Sequence, residues 1–209
     1  MTRPVFGRGD LAIDPTKSVF INCPFDDQYK ELFDAIVFAT ICCGFMPRSA
    51  LESGTASEPR LTRILRALFG SKYSIHDLSR CTGEGSENIA RFNMPLELGI
   101  AMALRFFEPT TAHDWLVMVP LGHTYFRFIS DLAAYDPVTH NGSVPSVVVA
   151  VMSWLATRDE AVPPVTPKEV LELLPVFQTK KRVLNEVWGG FPPWADIVMS
   201  AIDVARDLA

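Results

Sequence analysis

Glu97 is the residue of this chain whose type and place most readily do chemistry. It stands in Ala90-Arg91-Phe92-Asn93-Met94-Pro95-Leu96-Glu97-Leu98-Gly99-Ile100-Ala101-Met102-Ala103-Leu104. The stretch reads as a loop turning into a helix, with Asn93 expected as its N-cap and Pro95 in its first turn. Leu96, Gly99, Ile100 and Ala103 recur at helical spacing and are expected to face a core, with Glu97 beside them. Near a helix N-terminus the dipole favours the carboxylate, the form that a nucleophile or a charge stabiliser needs. The same position also suits an ordinary surface acid of the first turn.

Other chemistries find less support in the residues. Cys42 and Cys43 are adjacent in a helical pattern, Cys23 and Cys81 stand far apart, and none has metal-ligand spacing. Cys23 is watched as a nucleophile only because it ends an expected strand, without a patterned His or Asn partner. His76, His113, His123 and His140 are scattered, so no metal is expected. No glycine-rich fingerprint follows the first strand, so a bound redox dinucleotide is not expected.

Composition sets the frame. Of 209 residues, 48% are hydrophobic and 21% charged, enough to bury a full core. A net charge of −5 argues against a general nucleic-acid surface. No apolar run reaches the roughly 20 residues that cross a bilayer, and no signal-peptide pattern opens the chain. A soluble, cytoplasmic protein is expected.

The elements that must position Glu97 follow from patterning. Residues 1–17 read as an arm packed on the surface. Ser18–Cys23 is a buried strand, and Tyr29, Leu32, Phe33, Ile36, Val37 and Ile41 mark a helix ended by Gly44. Phe45–Leu51 is a weaker strand whose Pro47 suggests a sheet edge. Arg60–Phe69 is a helix with Leu61, Ile64, Leu65 and Leu68 inward and an arginine stripe outward. Lys72–Leu78 and His113–Pro120 are the third and fourth strands. After Pro120 the pattern turns helical, over Tyr125–Ala134, Val144–Ala156, Lys168–Val187 and Trp194–Leu208, with Pro163-Pro164 as a linker.

Alternating strands and helices predict an α/β fold, a flavodoxin-like doubly wound parallel sheet of four to five strands with an order beginning 2-1-3. It is expected over residues 18–120, with 121–209 a helical extension packed on the sheet or at an interface. In such a sheet, ligands lie beyond the carboxyl ends of the strands where the order reverses. The Asn22–Asp27 loop, the Asp77–Arg80 loop and Glu97 then converge.

These segments also carry a resemblance. Phe20-Ile21-Asn22-Cys23-Pro24-Phe25-Asp26, Cys43-Gly44-Phe45-Met46-Pro47-Arg48 with Ala50-Leu51-Glu52, Ile75-His76-Asp77-Leu78-Ser79-Arg80 and Arg91-Phe92-Asn93-Met94-Pro95-Leu96-Glu97-Leu98-Gly99 resemble a family of uncharacterised bacterial proteins. That family belongs with the nucleoside 2-deoxyribosyltransferase-like and TIR-like α/β domains. The similarity covers about Val19 to Val119, with an echo at Phe128-Ile129-Ser130-Asp131. Glu97-Leu98-Gly99 resembles the Glu-Leu-Gly of the transferases, whose glutamate is the nucleophile. The chain departs from them in having Phe92-Asn93-Met94-Pro95 where they have a Gly-Thr turn, and in lacking their strand-end tyrosine and aspartate spacing.

The resemblance implies an N-glycosidic-bond hydrolase or transferase acting on a nucleoside, nucleotide or NAD. NAD enters as a substrate and no cofactor is implied. Bacterial relatives of such folds serve in anti-phage defence. Glu97 would be nucleophile or oxocarbenium stabiliser, and Asp77 the first candidate for an acid or a ribose-hydroxyl ligand, with Asp26 the second. Asp26 alternatively caps the first helix, and Asp77 closes a strand-end turn. Arg48, Arg80 and Arg91 could hold a phosphate or be structural salt-bridge arginines, and Asn22 and Ser79 could orient ribose hydroxyls or bond loop backbone. Phe25 and Phe92 could stack on a base or belong to the core, and Pro24 and Asn93 complete the candidate binding residues. The other class of function is a non-catalytic, TIR-like nucleotide-binding or assembly module. A homo-oligomer or a protein partner is expected through the C-terminal helices.

Overall fold

A computed structural model describes residues 13–52, 57–81, 92–107, 113–122, 124–127, 129–162 and 165–208. The sheet has five parallel strands: β1 Ser18–Asn22, β2 Met46–Ser49, β3 Tyr73–Asp77, β4 Asp114–Pro120 and β5 Val138–His140. Their order is β2-β1-β3-β4-β5, so the sense in which successive strands are added reverses at β1, with the switch point between β1 and β3, as in flavodoxin-like sheets. β1 and β3 are buried along their whole length, which is why they read as short runs instead of alternating patterns. β2 holds the edge, where the missing N–H of Pro47 is tolerated.

α2 Arg60–Phe69 and α3 Asn93–Phe107 cover one face of the sheet, with Phe20 of β1 against Ile64, Leu68 and Ala101. α1 Lys30–Cys42, α4 Val144–Leu155 and α6 Trp194–Ala205 pack with Val19, Ile21, Tyr73 and Ile75 on the other. α5 Pro167–Val187 lies on that helical layer through Val170, Leu174 and Phe177, the last stacked on Phe38 with ring centroids 5.4 Å apart. α1 is thereby buried almost all round, not along one face as its apolar spacing predicts. One consequence is an internal ion pair, Asp34 of α1 with Lys181 of α5.

Several boundaries carry their own chemistry. α1 ends in a Schellman motif: Gly44 N–H donates to the Ile41 carbonyl at 2.9 Å and Phe45 N–H to that of Thr40 at 3.1 Å. Gly44 stands at φ +87°, as the sequence leads one to expect. α5 opens on a capping box, in which Thr166 and Glu169 satisfy each other's backbone N–H.

The structure corrects four expectations. The segment after Pro120 is not wholly helical: it supplies β5, and Tyr125–Arg127 and Ser130–Ala134 are short 3-10 turns. Leu61 of α2 is exposed, and the buried residues of that helix are Ile64, Ala67 and Leu68. α3 starts at Asn93 itself, with Leu96 N–H bonded to the Phe92 carbonyl at 3.0 Å, so Phe92 and not Asn93 takes the cap position. Its inward face is Met94, Glu97, Leu98 and Ala101, while Leu96 and Gly99 point outward. The Pro163-Pro164 linker and residues 1–12 of the arm lie outside the described residues. Residues 13–17 carry a 3-10 turn whose Thr16 N–H is bonded by Asp14.

Candidate functional site

Side chains alternate across a strand, so the carboxyl ends of β1 and β3 present two different polar groups on the two faces of the sheet. Asn22 and His76 project toward α3, and Asp77 projects toward α1. On the α1 face, Asp77 is fully buried and both of its oxygens are filled. Oδ2 accepts from the Tyr29 hydroxyl at 2.5 Å and lies 3.0 Å from His140 Nε2. Oδ1 accepts the Ser79 N–H at 2.8 Å and the Ser79 hydroxyl. Gly142 N–H donates to His140 Nδ1 at 3.2 Å, which leaves Nε2 as the nitrogen that donates to Asp77. Burial and the neighbouring Asp77 charge push the Tyr29 phenol well above its usual value, so it remains a donor. Asp77 thus closes the strand-end turn and holds two side chains from distant elements.

Asp26 and Arg80 hold each other. Arg80 Nε donates to Asp26 Oδ2 at 3.1 Å and Nη2 to Oδ1 at 3.2 Å, a bidentate pair, and Nη2 also reaches Gln28 Oε1 at 3.2 Å. Asp26 Oδ1 accepts the Tyr29 N–H at 3.1 Å as well, the capping role open to it from sequence. Pro24 is buried beneath this loop. Phe25 is 40% exposed and meets Phe33 edge-on at 5.3 Å.

Glu97 is held differently. It is only 8% exposed on the inward face of α3, at the carboxyl end of the sheet, and no hydrogen bond fills its carboxyl among the described residues. Burial pushes it up to about 7, against a smaller opposing pull from the Arg60 charge at the start of α2. Desolvation therefore outweighs the helix N-terminus, whose dipole by itself favours the carboxylate. Asp77, Glu97 and Asp26 all bear electrostatically on Cys23 at the end of β1. Burial and these three acids push its thiol well above the usual range, so Cys23 is no nucleophile.

The remaining candidates divide. Ser79 and Arg80 join the site through Asp77 and Asp26. Asn93 is exposed at the first residue of α3. Arg48 does not join: it lies on edge strand β2, where Nε and Nη2 fork onto Glu52 at 2.5 and 2.7 Å. Arg91 falls outside the described residues. Among the described residues no group of three or more His, Cys, Asp or Glu is placed to hold a metal ion. A cavity of about 330 Å3, bordered by Arg105, Phe106, Asp114, Trp115, Val138 and Trp154, lies at the amino ends of β4 and β5, away from Glu97.

Sequence reasoning missed Tyr29, His76 and His140. For His76 a signal was available: Ser74 and His76 are alternate polar residues in a strand buried throughout, and buried polar groups need partners. His140 gave none, because β5 is three residues long and two of them are exposed.

Fold and site together define a doubly wound α/β protein with Asp26, Asp77 and Glu97 gathered at the carboxyl ends of β1 and β3, its topological switch point. Comparison with family models, with curated proteins and with solved structures found no match. No described helix is long and apolar enough to cross a membrane.

Proposed function

We propose that the protein breaks or transfers the N-glycosidic bond of a nucleoside, a nucleotide or NAD, with Glu97 facing the anomeric carbon. The observation that carries this reading is the state of Glu97: nine-tenths buried, without a hydrogen-bond partner among the described residues, and titrating near 7 where the fold places ligands. A buried carboxylate responds strongly to a positive charge arriving beside it, because little solvent screens the pair. An oxocarbenium-like transition state is such a charge, and the ionised carboxylate either stabilises it or forms a covalent glycosyl intermediate. A carboxyl that still holds its proton near neutrality can also protonate a departing neutral base.

The test incubates NAD, NADP, nucleosides, deoxynucleosides and nucleotides with the wild type and with Glu97→Gln, and follows free base by chromatography. The variant is expected to lose at least about 10²-fold in rate. Equal rates would overturn the role of Glu97. The pH profile separates its two forms. With a cationic leaving group such as nicotinamide the ionised carboxyl works, and rate rises as pH passes through about 7. With a neutral base the protonated form works, and rate falls over the same range.

A further inference from the structure

The polar side chains beneath α3 form one continuous wire, and main-chain carbonyls at its two ends fix its direction. Asn22 Nδ2 lies 2.9 Å from the Met94 carbonyl oxygen. A carbonyl only accepts, so the amide nitrogen and not Oδ1 must face it. The same nitrogen lies 2.9 Å from His76 Nδ1, which therefore accepts and leaves the His76 proton on Nε2. His76 Nε2 donates to Ser74 Oγ over 2.8 Å, the Ser74 hydroxyl donates to His113 Nε2 over 2.9 Å, and His113 Nδ1 donates to the Ser71 carbonyl over 2.9 Å. With both rings neutral, no other assignment of protons satisfies every step. All four side chains are buried, and burial disfavours the charged form of both rings, taking His76 down to about 3 and His113 below its usual value.

An amide with both N–H groups engaged offers the rest of the crevice only its oxygen. Asn22 Oδ1 accepts no hydrogen bond among the described residues, although the residue is 3% exposed. Asn22 holds the carbonyl of Met94 in the first turn of α3, and Glu97, whose carboxyl likewise has no hydrogen-bond partner among the described residues, follows within the next turn of the same helix; the oxygens of both retain some accessible surface. The nearby guanidinium of Arg80 is committed to Asp26 and Gln28. Two acceptors without donors suit hydroxyl groups and repel phosphate oxygens.

We propose that Asn22 Oδ1 accepts a hydrogen bond from a sugar hydroxyl of the ligand, and that His76, Ser74 and His113 are positioning residues that keep Asn22 an acceptor. This rests on the nucleoside-type substrate proposed above and narrows it to ligands whose sugar presents a free hydroxyl at that point.

Two measurements on the full chain test it. Nitrogen-15 spectra need no ligand: at pH 8 His76 is expected as the Nε2–H tautomer and His113 as the Nδ1–H tautomer, and His76 is expected unchanged down to pH 5. Calorimetry on Glu97→Gln, where turnover is blocked, then compares adenosine and cytidine with their 2′-, 3′- and 5′-deoxy forms. One deoxy form of a nucleoside that binds is expected to bind about 10- to 100-fold more weakly than its parent, since its loss leaves a buried acceptor unfilled. Adding Asn22→Ala or His76→Leu should shrink that discrimination to within about threefold, although His76 touches no ligand. Should His76→Leu fail to fold, Asn22→Ala and the tautomer spectra carry the test. The opposite tautomer on either ring overturns the inference, as do deoxy forms that all bind like their parents. If no nucleoside binds and no Glu97-dependent base release occurs, the N-glycosidic reading fails and takes this inference with it.

Discussion

Glu97→Gln should stabilise the protein at alkaline pH and leave its stability unchanged in acid. The carboxyl titrates near 7 instead of the 4.5 of an exposed glutamate, chiefly because burial removes water from the ionised form. A carboxyl raised in this way binds its proton more tightly in the folded chain than in the unfolded one. Its stabilising contribution is complete below about pH 4.5, declines as pH rises toward 7, and is gone above it. The gap between 4.5 and about 7 corresponds to roughly 3 kcal/mol. Glutamine is close in shape to the protonated acid and does not titrate, so it escapes this decline.

The measurement is the difference in urea-unfolding free energy between wild type and variant from pH 4 to pH 8.5. Every other titrating group is common to both proteins and largely cancels. The difference should grow from near zero to roughly 3 kcal/mol in favour of the variant, or roughly 6–12 °C in Tm for a chain of this size. Arg60→Gln provides a second handle: without the opposing charge the folded carboxyl should ionise at higher pH, so the divergence still begins near pH 4.5 but continues to higher pH and ends larger. A difference that stays constant within about 0.5 kcal/mol from pH 5 to pH 8 would refute the assignment of Glu97 as a desolvated, titrating carboxyl.

Two further substitutions probe the fold around the site. Gly44→Ala forces a side chain into a left-handed conformation at φ +87° and sets its Cβ 2.5 Å from Val162 Cγ1. It should cost about 2 kcal/mol or more in urea unfolding, with Val162→Ala in the same chain recovering only the part due to overlap. Lys181→Met should cost about 3–5 kcal/mol by leaving the Asp34 carboxylate buried without its cation, and burial already pushes Asp34 up. Lys181→Met with Asp34→Leu should recover most of that loss, since the desolvation cost of the pair goes with it.

The sheet was legible because its central strands are short apolar runs bounded by turn residues, and its helices repeat at their own period. β5 was not, since Val138-Thr139-His140 is too short to show a pattern and is exposed at two of its three residues. α3 shows where periodicity fails to decide. Met94, Leu98 and Ala101 form one apolar row, and Leu96, Gly99 and Ala103 another. Both fit the helical repeat, and only packing against β4 and the β3 end, through Leu78, Val117 and Val119, selects the first. That selection buries Glu97. The convergence of Asn22, Asp26, Asp77, Ser79 and Arg80 was readable from the expected strand order. Their division into two faces, and the links to Tyr29, His76 and His140, depend on contacts across 48 to 63 positions of chain that no local pattern records.

Folding explains some of the acids at the carboxyl end of the sheet and not others. Asp77 lies fully buried, yet four donor groups fill it, and a charged carboxylate so surrounded is held more firmly than most neutral contacts. Asp26 faces a bidentate guanidinium and receives a helix N–H, so its place too follows from structure. Among the described residues Glu97 has no hydrogen-bonding partner, and the pull of the Arg60 charge is smaller than the cost of its burial. Its burial above pH 7 costs about 3 kcal/mol, against the 5–15 kcal/mol of net stability usual for a domain, and a leucine or glutamine there would avoid it. No described residue supplies the charge or donor that would balance Glu97. Asn22 makes the same demand from beneath the same helix, with the opposite chemical tolerance. In the proposed reaction its oxygen would take a sugar hydroxyl while the Glu97 carboxylate faces the developing cation of the same ribosyl group.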